Sequence, residues 1–351
     1  MNTTRTPRHI AIVGAGIAGL TCARTLLQAG EQVSVFEANP HVGGHMASVQ
    51  TPFGSFDAAA QYFTVRDERF ARALEVAAPH VARRWSAIAV RVLDEHGRVL
   101  EAGSAAREAH WVATPTMDAL PHHWAAPLQA NGDLHLNTRV RAIARDALDP
   151  GRWQLHTEGA GDEHPVHPGF DTVLLATPAT QARQLLSAPA QPLADAIAPV
   201  QTAPCWTLLL AFPQAQPGLH TLGPQWNAAR STHHRIAWLA RESSKPGREM
   251  IERWTVQASS DWSREHEGDD EARVTAKLLK AFAEITGIHA APGWTQALLW
   301  RKARTLTPLG QPFLWHSALQ LGACGDWCLG RRVEDAFVSG LELALAAAQE
   351  G

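Results

Sequence analysis

A glycine-rich turn near the N-terminus has the residue types and the spacing of a dinucleotide-binding site. It reads Gly14-Ala15-Gly16-Ile17-Ala18-Gly19, between a stretch typical of a strand and a stretch typical of a helix. Gly14 permits a tight turn, Gly16 lets the backbone approach a pyrophosphate, and Gly19 lets the helix pack closely on the strand. Glu37 follows Gly14 by 23 residues, where an acid can bind a ribose hydroxyl. The stretch predicts a dinucleotide whose pyrophosphate lies at the helix N-terminus.

Other residues that could perform catalysis or bind metals form no recognisable pattern. The paired histidines His122-His123 and His233-His234 are sequence neighbours, which point to opposite faces of a strand, and neither pair belongs to an H-x-x-x-H motif. The cysteines have the spacing of neither a disulfide framework nor a zinc site. They are Cys22, Cys205, Cys324 and Cys328. We therefore predict no metal site and no catalytic triad.

Length and composition are those of an ordinary globular protein. The chain has 351 residues, of which 45% are hydrophobic and 19% are charged, enough for one large core or two smaller ones. The net charge of −3, without a basic run, argues against nucleic acid as the main partner. No apolar run approaches the roughly 18 residues of a membrane span, and because only a short polar stretch precedes the first predicted strand, we expect no signal peptide. We expect a cytoplasmic protein, as a monomer or a homodimer.

The elements that must position the glycine turn alternate between strands and helices. The stretch from Ile10 to Glu37 predicts a strand, a helix and a second strand, and the apolar run Phe170 to Pro178 predicts a strand buried on both faces of a parallel sheet. The middle of the chain contains strand-like stretches and more proline. We predict an α/β fold: a Rossmann-type domain assembled from discontinuous segments, plus a smaller α+β domain with a mainly antiparallel sheet. The predicted segments are 1–78, 112–180 and 298–351 for the first domain, and 79–111 and 181–297 for the second.

Several motifs, in the same order along the chain, resemble the flavin-dependent amine-oxidase-type oxidoreductases. They are the glycine turn with Glu37, the pair Gly43-Gly44, the run Val173 to Pro178, and Gly325-Asp326 before a final helix. Further stretches resemble the renalase branch of that family, especially its bacterial members. These are Asp57-x-x-Ala60-Gln61-Tyr62-Phe63-Thr64, Trp300-Arg301-Lys302-Ala303-Arg304 and Gly325-Asp326-Trp327 with Arg332-Val333-Glu334.

The resemblance implies that FAD is the dinucleotide and that it is bound without a covalent link. The cofactor contacts that it implies are Gly14, Gly16, Ala18, Gly19, Glu37, Gly44, His45, Met46, Gln61, Tyr62, Val140, Thr177, Asp326, Arg332 and Val333. Two positions depart from the family pattern. His45 stands where an arginine is usual, which weakens the charge support for the diphosphate, and Ala59 stands where glycine is more common.

The resemblance also implies a reaction. Dihydronicotinamide isomers of NAD(P)H, reduced at the 2 or 6 position, would be oxidised to NAD(P)+ by hydride transfer to the flavin, and O2 would then be reduced to hydrogen peroxide. Hydride transfer depends on orientation and on the exclusion of water more than on a protein acid or base, so we predict no catalytic side chain. The candidates that face the substrate are Tyr62, Arg66, Arg301, Lys302 and Arg304.

Three alternatives remain open. The first is an amine oxidase, and many enzymes of that kind place a lysine, through water, at the flavin N5 atom. Of the four lysines, Lys245, Lys277 and Lys280 are expected in a loop and a helix of the middle region, so only Lys302 could serve. A flavoprotein that binds FAD without turnover is a second alternative. Attachment of the flavin to Cys324 is a third, although a small buried cysteine is commoner.

Overall fold

The computed structural model of the protein describes most of the chain and has the predicted α/β fold. The described residues are 6–85, 90–101, 108–159, 165–215, 223–224 and 226–349. Each of the five predicted domain segments has some residues that lie outside these ranges.

Twenty strands are present in these described ranges. In chain order they are β1 (His9–Val13), β2 (Gln32–Phe36), β3 (Ser48–Thr51), β4 (Gly54–Asp57), β5 (Ala82–Trp85), β6 (Val90–Leu93), β7 (Val99–Glu101), β8 (His110–Ala113), β9 (Leu134–His135), β10 (Arg139–Arg145), β11 (Trp153–Glu158), β12 (Val166–Phe170), β13 (Thr172–Leu175), β14 (Gln201–Phe212), β15 (Ala228–Ser231), β16 (Ile236–Arg241), β17 (Glu252–Ala258), β18 (Trp294–Thr307), β19 (Leu314–His316) and β20 (Leu321–Ala323).

Nine α-helices are found in the same part of the chain, and none of them is both long and apolar enough to cross a membrane. They are α1 (Ile17–Gln28), α2 (Glu68–Ala77), α3 (Ala119–Asn131), α4 (Ala179–Leu186), α5 (Gln191–Ile197), α6 (Ser260–Glu265), α7 (Glu271–Thr286), α8 (Asp326–Leu329) and α9 (Val333–Gln349).

A six-stranded sheet in the order β19-β20-β13-β1-β2-β9 forms the centre of the Rossmann-type domain. Its neighbouring strands are parallel except for β19, which pairs antiparallel with β20. All four residues of β13 are buried, which confirms the prediction of a strand covered on both faces. Because the strands are parallel, the glycine turn after β1, the loop after β2 and the turn after β20 meet at one edge of the sheet.

Helices cover both faces of this sheet. One core joins α1, α3 and α9 to the sheet through residues such as Leu20, Trp124 and Phe337, and the other contains α4, α5 and the three-stranded sheet β10-β11-β12. Helix α1 approaches β1 very closely: a Cβ atom on Gly19 would lie 2.0 Å from the Gly14 carbonyl oxygen. Only glycine permits this contact, in agreement with the packing role predicted for Gly19.

A second, seven-stranded sheet has the order β18-β14-β17-β16-β15-β6-β7. All its described pairs are antiparallel except β15 with β6. One face packs on α6 and α7 through residues such as Leu208, Val256 and Phe282, and the opposite face is turned toward the first domain. The mainly antiparallel sheet agrees with the predicted fold class.

Two predicted domain boundaries fall inside packed elements. The boundary at 298 cuts β18, which pairs with β14 along its length from Trp294 to Thr307. The boundary at 180 separates α4 and α5 from the Rossmann-type core, although Leu186 and Ile197 pack in that core. Amino-acid composition could not locate either boundary, because the sequence of a long strand or a short helix does not indicate which domain it packs in.

Candidate functional site

One cavity of about 980 Å3 extends from the glycine turn of the first domain to the seven-stranded sheet. Its size is at the upper end of the range of cofactor and ligand pockets, as a dinucleotide together with a substrate would require. Of the predicted cofactor contacts, all but Gly19 lie in its wall. Gly19 instead packs against Gly14, so its role is in the contact between helix and strand. Whether the other residues bind FAD remains a prediction.

Gly16 provides the clearest sign of a site for a ligand. It lies in the cavity wall directly before α1, and a Cβ atom added there would meet no protein atom within 4 Å. The free space beside Gly16 is therefore cavity, not protein. The N-terminus of α1 has backbone N–H groups without intrahelical partners, which attract an anion at this position. The glycine turn thus fits a bound pyrophosphate.

Glu37 lies at the end of β2 with its carboxylate fixed by the glycine turn. One carboxylate oxygen accepts a hydrogen bond from the Ala15 backbone N–H at 2.8 Å, and the other accepts from the backbone and side-chain nitrogens of Asn39 at 2.9 and 2.6 Å. A carboxylate has about four acceptor positions, so capacity remains for a ribose hydroxyl. Val140 and Thr138 line the same end of the cavity. This end fits the adenosine half of FAD.

Asp326 and the start of α9 line the middle of the cavity. Burial raises the pKa of the Asp326 carboxyl, and its Oδ2 atom lies 3.9 Å from Nδ1 of His45. Helix α9 begins at Val333, and the backbone N–H groups of Arg331 and Arg332 both donate to the Asp335 carboxylate at 2.9 Å. The turn that leads into α9 is thus held rigidly beside the cavity. Contacts from these positions to the flavin half of the cofactor remain a prediction.

The far end of the cavity is floored by one row of residues across the seven-stranded sheet. Thr207 pairs with Gln257, Gln257 with Trp238, and Trp238 with Arg230. Paired residues on neighbouring strands project from the same face, and all four line the cavity. The row changes in character along its length, from uncharged side chains to a single cation at Arg230.

Tyr62 lies above the Arg230 end of this row. Its ring centroid is 4.1 Å from that of His110 and 5.5 Å from that of Trp238, and its hydroxyl lies 3.5 Å from Arg230 Nη2. Burial, and then the nearby charge of Arg230, lower the pKa of His110, so this histidine is neutral at pH 7. The result is a compartment with aromatic walls that suits a flat substrate.

Beneath Gln61, behind the cavity wall, lies a buried cluster of charged side chains that connects the two domains. Lys245 Nζ donates to Asp57 at 3.0 Å, to Glu242 at 2.8 Å and to Gln61 Oε1 at 3.2 Å. Arg248 donates to the same Asp57 oxygen at 2.7 Å. The side chains of all four charged residues are fully buried. We call Asp57, Glu242, Lys245 and Arg248 the interdomain charge cluster.

The two carboxylates of the interdomain charge cluster differ in electrostatic environment. Burial would raise the pKa of Asp57, but the charges of Lys245 and Arg248 outweigh it and lower the pKa to about 2. Burial raises the pKa of Glu242, which the charge of Lys245 opposes only in part. The second carboxylate oxygen of Glu242 has no hydrogen-bond partner among the described residues. Of the two carboxylates, Glu242 is therefore the one whose negative charge is less well compensated by neighbouring cations.

Gln61 lines the cavity, but both polar atoms of its side chain are bonded to protein. Its carbonyl oxygen accepts from Lys245, and its nitrogen donates to the Asp57 backbone carbonyl. The cluster therefore fixes the orientation of the Gln61 amide. A hydrogen bond from Gln61 to the flavin would have to use the remaining N–H group or the remaining lone pair of the amide.

The charged candidates for substrate contact lie in the cavity wall but differ in their partners. Arg66 forms an ion pair with Glu108, and Arg301 forms one with Glu267 at 2.6 Å. Lys302 is exposed, and its side chain, like that of Arg304, makes no hydrogen bond or ion pair with the described residues. Two of the predicted cations are thus engaged with protein carboxylates.

Several polar atoms in the cavity wall are buried and have no hydrogen-bond partner among the described residues. They are the hydroxyl oxygens of Thr64, Thr177 and Thr207, the indole nitrogens of Trp238 and Trp300, and Nδ1 of His110. An unsatisfied buried polar group costs about 1–3 kcal/mol, so such groups are concentrated where a ligand or water completes the structure. Their presence in one wall is a further sign of a binding site.

Sequence analysis missed several residues of this site. Arg230, Trp238, Gln257 and His110 belong to no motif, and their assembly depends on strand pairing. Lys245 was expected in a loop and lies in one, but we did not expect it to be buried, because the surrounding Ser-Ser-Lys-Pro-Gly stretch is typical of an exposed turn.

Comparison with known proteins identifies the family of the chain. Residues 90–347 match the family model described as flavin containing amine oxidoreductase, and residues 12–75 match an NAD(P)-binding Rossmann-like domain. The chain belongs to the flavin-containing amine oxidoreductases. Membership of this family implies a flavin as the cofactor of the cavity.

Individual relatives of this amine oxidoreductase agree with the assignment. L-amino acid oxidase Cdc18 from Crotalus durissus cumanensis is 50% identical over 46 residues, which are 13% of this chain and 9% of the relative. The matched stretch is thus about a tenth of the relative's length. Cyclohexylamine oxidase from Brevibacterium oxydans IH-35A has a TM-score of 0.72 at 12% identity, covering 98% of this chain and 99% of the other. A putrescine oxidase redesigned in cofactor binding has a TM-score of 0.69 at 12% identity, with 97% and 99% covered. These two structures share the fold.

Proposed function

We propose that this amine oxidoreductase binds FAD without a covalent link and uses it to oxidise a flat dihydronicotinamide substrate. One observation carries the proposal: a single cavity joins the dinucleotide cradle at Gly16 to the compartment formed by Tyr62 and Trp238. When bound, FAD supplies a two-electron acceptor for hydride. The role of the protein is to hold the substrate against it and to exclude water.

The cysteines favour a cofactor that is not attached covalently. Cys205 is the cysteine that lines the cavity, and burial raises the pKa of its thiol. Burial raises the pKa of Cys324 well above its usual value, and this residue is not in the cavity wall. A thiol with a raised pKa is a poor nucleophile at neutral pH, because the thiolate is the reactive form. We therefore expect FAD to be released when the protein is denatured.

The substrate proposal rests on the aromatic compartment and on the renalase-like motifs around Tyr62 and Asp326. Isomers of NAD(P)H reduced at the 2 or 6 position carry a planar, uncharged ring, which can lie between Tyr62 and the row of Thr207 and Gln257. The neutral His110 adds no positive charge beside this ring, and it therefore does not disfavour the cationic nicotinamide product. Oxygen is proposed as the final acceptor, with hydrogen peroxide as the product.

The proposal is tested by anaerobic mixing of the flavin-loaded protein with purified 2- and 6-dihydronicotinamide isomers and, separately, with a panel of primary amines and amino acids. We expect rapid loss of flavin absorbance with the isomers only, and one equivalent of hydrogen peroxide per turnover after air is admitted. Loss of absorbance with the amines alone would overturn the proposed substrate. A protein without extractable FAD would overturn the proposed cofactor.

Amine oxidation is a second candidate, and two observations favour it. The family is defined by flavin-containing amine oxidoreductases, and Lys302 lines the cavity without a protein carboxylate partner. Against it, the side chain of Lys302 is exposed, while the buried Lys245 is committed to Asp57, Glu242 and Gln61. We therefore place amine oxidation second.

A further inference from the structure

Arg230 is the cation at the end of the row that floors the substrate compartment. It lies on β15, its guanidinium is exposed, and the cavity wall includes it. Its guanidinium lies 3.5 Å from the Tyr62 hydroxyl, and within the described chain it has no carboxylate partner. The neighbouring cation at this rim, Arg66, differs because Glu108 already pairs with it. Arg230 therefore has most of its donors available for a ligand.

The position of Arg230 relative to the rest of the row can be worked out from strand pairing. Thr207, Gln257, Trp238 and Arg230 lie on four adjacent strands. With neighbouring strands about 4.8 Å apart, the backbone of Arg230 is about 14 Å from that of Thr207. Between these two ends the row is uncharged. A ligand that extends along it would place an uncharged group near Thr207 and an anionic group at Arg230.

We infer that Arg230 binds the phosphate group of the substrate and makes the enzyme prefer phosphorylated dihydronicotinamides over the corresponding ribosides. This inference rests on the proposed function and adds a substrate class to it. A nicotinamide nucleotide has an uncharged dihydropyridine at one end and a phosphate beyond the ribose. A guanidinium offers a planar fork of donors that matches a phosphate, whereas a lysine would offer a single charge.

The charges around Arg230 permit such binding but limit its strength. Glu108 is the nearby carboxylate, and its charge is already compensated by Arg66 and, at longer range, by Arg332. Because Arg230 is exposed, water and salt screen its attraction for a phosphate. We therefore expect the phosphate to improve binding about tenfold, equivalent to about 1.4 kcal/mol.

The test compares 2- or 6-dihydronicotinamide mononucleotide with the riboside that lacks the phosphate, in anaerobic mixing experiments. For the unchanged protein, we expect the half-saturating concentration of the mononucleotide to be about tenfold lower at equal limiting rates. Arg230→Gln should remove this difference by raising only the value for the mononucleotide, and Arg230→Lys should retain part of it. Added salt should weaken the binding of the mononucleotide and leave the binding of the riboside unchanged.

An equilibrium measurement and a matched control complete the test. Titration of the oxidised mononucleotide, followed by the change in flavin absorbance, should show the same loss of affinity in Arg230→Gln. Arg264→Gln removes an exposed arginine of the same domain outside the cavity wall and should change nothing.

Each other outcome counts against the inference. Equal half-saturating concentrations for riboside and mononucleotide in the unchanged protein would refute the role of the phosphate while leaving the proposed function in place. An equal effect of Arg230→Gln on both compounds would show a general role in the shape of the compartment. Loss of flavin absorbance with neither compound would overturn the proposed function and this inference together.

Discussion

Replacing Lys245 by methionine should destabilise the protein strongly, and more at pH 7 than at pH 5. Methionine keeps the length of the side chain and removes the charge that bonds Asp57, Glu242 and Gln61. Asp57 keeps Arg248 at 2.7 Å, whereas Glu242 keeps only the Thr255 hydroxyl at 2.8 Å. Glu242 would then be a buried carboxylate with no cation bonded to it, and only the charges of Arg248 and Arg253 would still favour its ionised form. Removing one partner of a buried pair typically costs about 3–5 kcal/mol.

Protonation of Glu242 limits part of this loss in the free energy of unfolding. Its pKa is already raised by burial above the ordinary value of 4.5, so in the variant it can escape the penalty by taking up a proton. Protonating an ordinary glutamate at pH 7 costs about 3 kcal/mol, and at pH 5 it costs less than about 1 kcal/mol. A carboxyl whose folded pKa is raised stabilises the fold below its unfolded pKa and loses that contribution as the pH rises through the folded value. The cost of Lys245→Met should therefore fall by about 2.5 kcal/mol between pH 7 and pH 5.

The assay is equilibrium unfolding in urea at both pH values, followed by tryptophan fluorescence at saturating FAD. Lys280→Met is the matched control, because Lys280 is exposed on α7, and it should change the free energy of unfolding by less than about 0.5 kcal/mol. The double variant Lys245→Met with Glu242→Leu removes both charges and should recover most of the loss, since a buried ion pair can often be replaced by apolar groups. If Lys245→Met lowered the free energy of unfolding by less than about 1 kcal/mol at pH 7, or by the same amount at both pH values, the reasoning would be refuted.

Two further substitutions test the cavity, and a third separates the candidate functions. Gly16→Ala should leave the stability of the FAD-free protein unchanged, because nothing lies within 4 Å of the added methyl, yet weaken FAD binding by about tenfold or more in a fluorescence titration. Gly268→Ala, equally free of contacts, is its control. Tyr62→Leu should slow flavin reduction by about tenfold while Tyr62→Phe retains the rate; an unchanged rate and flavin spectrum in Tyr62→Leu would contradict the flavin-facing assignment. Lys302→Met should leave dihydronicotinamide oxidation intact; a selective loss of activity with amines would favour the second candidate.

The interdomain charge cluster explains why one loop can serve both binding and architecture. Asp57, at the end of β4, also accepts hydrogen bonds from the Ser48 hydroxyl and the Met117 backbone N–H, both at 3.0 Å, and Gln61 and Tyr62 lie in the loop that follows this strand. The cluster therefore connects the second sheet to the loop that forms the cavity wall. A buried polar network of this kind favours one relative arrangement of the groups that it joins, although the second carboxylate oxygen of Glu242 is left without a hydrogen-bond partner among the described residues.

The glycine turn that we propose as the cofactor cradle could be predicted from the amino-acid sequence alone. Gly14, Gly16 and Gly19 act within one turn, and Glu37 stands at the end of the next strand, so the geometry follows from a single strand–helix–strand unit. The strand β13 could also be predicted from the sequence, because a strand that is buried on both faces has a continuous run of apolar residues. The apolar stripe of α9 is likewise a local pattern, because it repeats within a single helix. Local spacing was sufficient wherever the residues that act together are near one another in the chain.

The proposed substrate end of the site, in contrast, depends on the packing of strands that are distant in the sequence. Thr207, Gln257, Trp238 and Arg230 come together because four strands pair in one particular register, and a shift of one residue would turn each side chain to the opposite face. Lys245 meets Asp57 across 188 positions of the chain. No pattern within one strand or turn encodes a partner at that distance. The physical reason is that register and long-range charge pairing are set by the packing of the two domains as a whole.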